Sequence, residues 1–347
     1  MKSPLENVLL GTAVGDSLGL PAEGLTARRI ARRWPGPWRQ RFFLGRGMVS
    51  DDTEHTVFVA QSLARFDDDP RNFQRTLAWR LRFWLLCLPA GIGLATLRAI
   101  LKLWLGFPPS RSGVFSAGNG PAMRSAVIGV FFADDPARLR AFVQASTRLT
   151  HTDPKAEIGA LAVAMTAAFA VSSPLSSRND RAEIGALWKS AGADDSDWQQ
   201  LIDHIFSAHE QNLSVQDFAR IIGCKSGVSG YVYQTVPVAL YAWLHHFGDF
   251  RASIESVLTC GGDTDTVGAI TGALAALNAP IPLEWIENLG DYPISSAYLA
   301  DLASALETVQ HGGGLPMPPF HWFALPLRNL IFLVIVLAHA FRRLIPL

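Results

Sequence analysis

The sequence predicts an all-α protein, and three observations support this prediction. Several segments are rich in Ala, Leu and Val, with small residues between them: residues 137–149, 154–171, 234–245 and 267–277. None of them alternates apolar and polar residues over a long stretch, as a half-buried strand would. Two helix starts are also marked, because Asp153 precedes Pro154 as an N-cap acid and Gly120-Pro121 opens another helix in a similar way.

A helical pair and a C-terminal helix complete this prediction. Residues 79–107 are strongly apolar but contain a proline and a glycine near their middle, which predicts two helices joined by a turn. Residues 312–319 are a linker rich in Gly and Pro, and residues 320–347 follow as a hydrophobic tail helix. We therefore predict one domain over residues 1–311, with the tail attached to it.

The composition excludes several classes of protein. Of the 347 residues, 49% are hydrophobic and 17% are charged, so the chain can bury a large core and is not intrinsically disordered. Thirty Lys and Arg balance thirty Asp and Glu, so no nucleic acid is expected as the main partner. The three cysteines have no CxxC spacing, which argues against a disulfide framework or a cysteine zinc site and fits the cytoplasm.

Two clusters of acidic and hydroxyl side chains are the strongest chemical signal: SDDT at residues 50–53 and DTDT at residues 263–266. Their oxygens are hard ligands, which suit Mg²⁺, Mn²⁺ or Ca²⁺ rather than Zn²⁺. One such cluster alone is more often a helix N-cap than a metal site, but two clusters of acids that repel one another favour a metal site. An EF-hand is excluded because Val267 and Leu274 stand where that loop requires ligands.

Regularly spaced glycines accompany these clusters. Gly11, Gly15 and Gly19 are four residues apart and share one helical face, and Gly268 and Gly272 repeat the spacing after the second cluster. A face without side chains lets two backbones approach closely, as two helices that share a metal site would require. Tight packing without any chemistry is the alternative.

Two loops add polar candidates. His151 lies just before the N-cap Asp153, where an imidazole could face a ligand, although a lone loop histidine is usually only solvated. The turn at residues 118–124 contains Asn119 and could hold a phosphate with its free N–H groups, although such turns more often only start helices.

Six motifs in order along the chain closely resemble those of the ADP-ribosylglycohydrolase family. They are VGDSLGLPAEG, GMVSDDTEHT, GNGPAMR, LTHTDPKAE, SGYVYQTV and GGDTDTVGAITG, and the resemblance runs from about residue 5 to residue 290. The two acidic motifs at this spacing are highly specific. Ser50 replaces the threonine of many members and keeps its hydroxyl.

The resemblance implies a compact all-α fold of orthogonally packed helices, with two Mg²⁺ or Mn²⁺ ions at the bottom of an ADP-ribose cleft. It implies six metal ligands: Ser50, Asp51, Asp52, Asp263, Asp265 and Thr266. It implies substrate contacts from five further residues: Asn119, Gly120, His151, Asp153 and Tyr231. Glu23 stands where the family has an acid close to the metals, and either Glu23 or a metal-binding carboxylate, Asp52 or Asp263, is expected to be the catalytic base.

The reaction that this resemblance implies is hydrolysis of the bond between the anomeric carbon of ADP-ribose and a modified protein side chain. Two alternatives stay open: a hydrolase of a free ADP-ribosyl small molecule, and an inactive module that only binds ADP-ribose. All six oxygen ligands are present, which argues against the inactive module.

Residues 79–107 and the tail are not explained by the family core. The tail contains nine consecutive apolar residues, 330–338, fewer than the roughly twenty that a spanning helix needs. We therefore expect the tail to project outward and hold a cytoplasmic enzyme at the inner face of the membrane without crossing it. Arg342 and Arg343 would lie near anionic head groups. The alternative is a tail helix folded back onto an apolar groove, such as one formed by residues 79–107.

His55 directly follows the first acidic motif. It could hydrogen-bond a ligand carboxylate, or it could be an ordinary residue of the first helical turn. The general rarity of functional lone histidines favours the second interpretation.

Overall fold

The structure is a computed structural model that describes residues 2–173, 180–314 and 316–344. These residues form eighteen α-helices and three short 3₁₀ turns, and β structure among them is limited to isolated bridges, which confirms the all-α prediction. In chain order the α-helices are α1 (Pro4–Gly19), α2 (Ala27–Arg33), α3 (Asp51–Leu63), α4 (Pro70–Leu86), α5 (Leu94–Trp104), α6 (Gly120–Met123), α7 (Ala126–Phe131), α8 (Pro136–Arg148), α9 (Pro154–Ser172), α10 (Arg181–Ala191), α11 (Ser196–Glu210), α12 (Val215–Ile221), α13 (Val232–His245), α14 (Phe250–Leu258), α15 (Thr264–Ala275), α16 (Leu283–Glu287), α17 (Ser296–Gln310) and α18 (Leu325–Leu344).

Helices α1 and α15 lie against each other at the centre of the fold. A Cβ atom added to Gly15 would lie 2.0 Å from the carbonyl oxygen of Gly268, and one added to Gly11 would lie 2.2 Å from that of Gly272. Backbones can approach this closely only where side chains are missing. The close approach that the glycine spacing predicts is therefore confirmed, and it brings the start of α15 beside the end of α1.

Both acidic clusters lie at helix N-termini, as their N-cap interpretation predicts. Ser50 is the N-cap of α3, and its hydroxyl accepts a hydrogen bond from the N–H of Asp52 at 3.2 Å. Asp263 is the N-cap of α15, but its side chain accepts no capping bond, which leaves its carboxylate for other contacts. The partial positive charge of a helix N-terminus favours the carboxylates at both places.

The other predicted helices are confirmed with small shifts at their ends. The segments rich in Ala, Leu and Val correspond to α8, α9, α13 and α15, and residues 79–107 contain the end of α4 and the whole of α5. Asp153 caps α9 by accepting a hydrogen bond from the N–H of Lys155 at 2.9 Å.

The C-terminal segment packs against the body, so the expectation that it projects outward is wrong. The rings of Phe320 and Trp322 lie 5.9 and 5.3 Å from the ring of Phe58. Helix α18 then packs against an apolar groove of the body. The side chains buried between them are Leu20, Phe42 and Met48 from the body and Phe332 and Ile335 from the helix. Residues 345–347 and the side chains of Arg342 and Arg343 lie outside the described part of the chain.

Candidate active site

A cleft of about 440 Å³ opens where the N-termini of α3 and α15 meet, a size typical of small-molecule sites. Most of the predicted site residues line it: Glu23, Ser50, Asp51, Asn119, Gly120, His151, Asp263, Asp265 and Thr266. They come from five separate parts of the chain, which only the packing of the helices brings together.

The two acidic clusters touch each other below the floor of this cleft. The hydroxyl of Thr266 donates to Oδ2 of Asp52 at 3.2 Å, and the hydroxyl of Ser50 donates to the same oxygen at 3.0 Å. The other carboxylate oxygen of Asp52 is buried without a hydrogen-bond partner, as is Oδ1 of Asp265. Buried carboxylate oxygens rarely lack a partner, so both atoms point to a ligand that satisfies them.

The carboxylates of the floor are crowded and largely removed from water. Burial, together with repulsion from neighbouring acids, raises the pKa of Asp51, Asp52 and Asp265 well above its ordinary value. The charge of Glu23 contributes to this rise at Asp51 and at Asp265, so its carboxylate lies close to both clusters. A bound cation would relieve this repulsion and stabilise the ionised forms.

Asp16 organises the first cluster, and sequence reasoning did not include it in the site. It is fully buried on α1, where its carboxylate accepts hydrogen bonds from the N–H groups of Ser50 at 2.9 Å and Thr53 at 3.2 Å. Burial raises the pKa of Asp16 to about 6, although these bonds oppose that effect. Its place in the VGDSLG motif, directly after Gly15, was the signal that could have identified it.

Asn119 and His151 form the wall beside the floor. The amide of Asn119 donates to Oδ2 of Asp263 at 2.7 Å, which orients that carboxylate. Burial, followed by the nearby positive charge of Arg124, lowers the pKa of His151 to about 3, so its imidazole is neutral at physiological pH. A Cβ atom on Gly120 would lie 3.2 Å from the His151 ring, so the loop packs closely on the imidazole.

Asp153 and Tyr231 lie beside the cleft but are not among the residues that line it. Asp153 caps α9, and the hydroxyl of Tyr231 is 3.3 Å from Nζ of Lys155. Contact of Asp153 or Tyr231 with substrate stays a prediction. Arg124, at the end of the Gly-rich turn, is buried and donates to Ser146, so it does not face the cleft.

His55 is buried away from the floor. Its ring packs edge-on against Trp84 with centroids 4.5 Å apart, and its Nδ1 lies 3.5 Å from the guanidinium of Arg124. These contacts fit the interpretation of His55 as a packing residue.

A buried ion-pair group joins α3 to the tail, and no local pattern in the sequence indicates it. Arg328 of α18 donates to Asp291 at 3.0 Å and to Glu54 at 3.2 Å. Burial raises the pKa of Glu54 to about 7, and Arg328 and the indole N–H of Trp84 only partly offset that effect. Asp291 in turn accepts the N–H of Val49 at 2.9 Å, directly before the first acidic cluster.

The tail also supplies part of the cleft wall. Phe332 and Val336 of α18 line the cleft together with Ala90 and Leu94 from the α4–α5 turn and the start of α5. These side chains form an apolar wall on one side of the polar floor. The turn between α4 and α5 and the tail therefore both contribute to the site.

The chain belongs to the ADP-ribosylglycohydrolase family, whose sequence profile matches residues 3–315. The activity of that family is the hydrolytic removal of ADP-ribose, and the resemblance seen in the motifs is confirmed. Helix α18 lies beyond the matched residues.

Two relatives and one solved structure illustrate the match. A protein of Archaeoglobus fulgidus, described as uncharacterized, is 33% identical over 316 residues, which cover 88% of this chain and 96% of the relative. The ADP-ribosyl-[dinitrogen reductase] glycohydrolase of Rhodospirillum rubrum is 26% identical over 292 residues, covering 81% and 88%. A structure named ADP-ribosylglycohydrolase-related protein complex superposes with a TM-score of 0.64 at 25% identity, covering 88% of this chain and 98% of the other.

Proposed function

We propose that this protein is a metal-dependent hydrolase that removes ADP-ribose from a modified protein side chain by cleaving the glycosidic bond at the anomeric carbon. One observation carries the proposal. Asp52 and Thr266, 214 residues apart in the chain, are joined by a hydrogen bond beneath one cleft. The floor there leaves one oxygen each of Asp52 and Asp265 without a partner.

The donor set fits two Mg²⁺ or Mn²⁺ ions, because all six predicted ligands offer hard carboxylate or hydroxyl oxygens: Ser50, Asp51, Asp52, Asp263, Asp265 and Thr266. Within the described ranges, no three His, Cys, Asp or Glu side chains form a preassembled metal-binding group. The carboxylates would therefore draw together around the cations. When bound, the cations supply positive charge that orients the ribose hydroxyls and lowers the pKa of water.

Glu23 is the base that we propose for the reaction, since it lines the cleft next to the acidic floor. Asp52, held by two hydroxyl groups below the floor, suits a ligand better than a base. The oxygen of water bonds to the anomeric carbon while the bond to the acceptor breaks. Glu23 takes one proton of the water and releases it to solvent, and the departing acceptor takes up a proton from solvent, so that no proton is gained or lost overall. The positive charge that develops on the sugar faces the carboxylates of Asp51 and Asp263.

The wall formed by Asn119 and His151 suits the rest of ADP-ribose. Neutral His151 can donate or accept a hydrogen bond without adding charge, and Asn119 and Gly120 border the same space. We propose a protein acceptor because the Rhodospirillum rubrum relative is named for the removal of ADP-ribose from dinitrogen reductase.

To test this function, the release of ADP-ribose by metal-stripped protein is measured with and without added Mg²⁺ or Mn²⁺. The substrates are arginine-, serine- and acid-linked ADP-ribose and a free ADP-ribosyl small molecule. Asp263→Ala and Asp265→Ala should each lower the release of ADP-ribose at least roughly a hundredfold. Asp301→Ala, an exposed acid on α17, is the matched control and should keep full activity.

Three results would contradict the proposal. Full activity of metal-stripped protein would exclude a metal-dependent reaction. Cleavage of the free small molecule alone would exclude a modified protein as the substrate. Calorimetric binding of ADP-ribose without any turnover would identify a binding module.

A further inference from the structure

Over residues 325–341, whose side chains the structure describes, the polar residues of α18 face the body and the outer face of the helix is apolar. Arg328 pairs with buried acids, Asn329 donates to the carbonyl of Cys87 at 2.8 Å, and Nε2 of His339 lies 2.8 Å from the carbonyl oxygen of Phe42. The large solvent-facing side chains are between 41% and 68% exposed: Leu327, Leu330, Ile331, Leu333, Val334, Leu337 and Phe341.

This pattern is the reverse of that of a surface helix in water, which turns its apolar stripe inward. By length and composition, Trp322–Phe341 could cross a membrane, and only 28% of it is buried. The other described helix that passes this test is Pro154–Ser172, which is 67% buried and belongs to the core. The outer face of α18 therefore lacks the apolar partner that the core helix has.

The end of α4 extends this surface. The ring of Phe83 lies 6.3 Å from that of Trp322 just before α18, and four large apolar side chains of this region are between 50% and 77% exposed. They are Trp79, Phe83, Leu86 and Leu88. We call these four residues and the seven outer residues of α18 the apolar face. A contiguous apolar surface of this kind marks an interaction site.

The charge of the segments that form the apolar face indicates what binds there. Residues 70–133 and 308–347 contain none of the thirty acids of the chain but eleven of its thirty Lys and Arg. Arg71, Arg75 and Arg98 among them are exposed. An apolar surface built from segments that contain exposed cations and no acid is complementary to a bilayer that contains anionic lipid.

We propose that the apolar face inserts into the interfacial region of an anionic phospholipid bilayer and holds the enzyme at the membrane surface. Because Phe332 and Val336 on the other side of α18 line the cleft, the cleft would lie about one helix diameter, ~10 Å, from the lipid. In a cytoplasmic enzyme the bilayer is the inner face of the membrane. This inference concerns location and does not rest on the proposed reaction.

The contacts of α18 favour a helix that lies in the membrane plane. A spanning orientation would separate Arg328 from Asp291 and Glu54, which it contacts at 3.0 and 3.2 Å. Two acids and one guanidinium would then lose their ion pairs, and the free-energy cost of these unpaired charges disfavours the spanning orientation.

Flotation of the full chain with vesicles tests the proposal. Wild-type protein should float with vesicles containing phosphatidylglycerol and bind pure phosphatidylcholine more weakly. The variant Leu330→Gln/Val334→Gln/Leu337→Gln should lower the partition coefficient at least roughly tenfold, because three exposed apolar side chains that would enter the bilayer become polar. The matched control is Ile221→Gln/Leu283→Gln, which changes exposed apolar residues on α12 and α16 and should bind like wild type.

The thermal midpoint of each variant, and its activity on a soluble substrate, establish that it is folded. Wild-type protein that stays unbound, or a folded triple variant that floats like wild type, would overturn the proposal. A third result would also overturn it: wild-type protein sediments as a dimer without lipid, the triple variant sediments as a monomer, and neither binds vesicles. The apolar face would then pair two copies of this chain.

Discussion

Single buried side chains hold the cleft in place, and their partners come from distant parts of the sequence. Asp16 of α1 fixes the N-terminus of α3, Asn119 fixes Asp263, and Arg328 of the tail neutralises acids beside the first cluster. Asp16 and Arg328 are positioning residues, since they do not line the cleft and act through residues in and beside the first cluster, whereas Asn119 also lines the cleft itself.

Asp16→Asn tests the first of these contacts. The amide keeps the volume of the carboxylate, but its one oxygen can replace only one of the two carboxylate oxygens. Its NH₂ group then faces the N–H of Ser50, which donates to both oxygens in the wild type. We expect the affinity for Mg²⁺ and kcat/KM to fall about 10- to 100-fold, as with other residues that support metal ligands. Titration of activity with Mg²⁺ measures both. An unchanged titration curve would show that the loop before α3 holds its position without Asp16.

The buried imidazole of His151 makes stability depend on pH. Burial lowers its pKa to about 3 in the folded protein, whereas the unfolded chain has the ordinary value of 6.5. Below pH 6.5 the unfolded state therefore binds a proton that the native state does not, so the free energy of unfolding falls as the pH falls towards 3.

Other buried acids titrate in the same range, so wild type is compared with His151→Gln at each pH by urea unfolding. We expect the stability of wild type relative to the variant to decline between about pH 7 and pH 4. A constant difference across this range would contradict the neutral, buried state of His151.

At the scale of elements, the α1–α15 pair positions both acidic motifs. The first cluster depends on α1 through Asp16, and the second begins α15 itself. Because the backbones of the two helices nearly touch, any added atom must separate the two motifs.

Gly15→Ala should therefore damage both stability and activity. Its Cβ would lie 2.0 Å from the carbonyl oxygen of Gly268, which is backbone and cannot turn away. We expect a loss of about 1–3 kcal/mol in the free energy of unfolding and a lower kcat/KM. Gly36→Ala is the control, because nothing lies within 4 Å of the added Cβ there. If the two variants unfold alike, the close packing of α1 on α15 is not required.

At the scale of the whole molecule, the tail is part of the catalytic unit. Helix α18 lies outside the residues that match the family, yet it supplies Arg328 to two buried acids and Phe332 to the cleft wall. Membrane attachment through its outer face would thus be linked directly to the site.

Arg328→Met measures this link. Asp291 and Glu54 would lose the guanidinium that they share, and we expect a loss of about 3–5 kcal/mol in the free energy of unfolding. Lys189→Met removes an ion pair with Asp203 that is largely exposed, and we expect less than about 1 kcal/mol there. Urea unfolding compares the two variants. Equal, small losses would mean that the tail is an independent appendage.

Much of the fold and of the site follows from local sequence. Helix periodicity, the caps at Ser50 and Asp153 and the spacing of the glycines depend on neighbouring residues, so they can be read along the chain. The two acidic motifs are equally local, and their hard oxygen donors are enough by themselves to indicate a metal site.

Tertiary structure decided which distant residues meet. No local pattern shows that Thr266 reaches Asp52, that Asp16 supports Ser50, or that α18 folds back so that Arg328 lies between two acids. The tail was predicted to project outward because the linker that ends in Pro318-Pro319 was visible in the sequence, whereas the buried acids that contact Arg328 were not. Such contacts depend on packing between helices far apart in the chain, and that packing exists only in the folded protein.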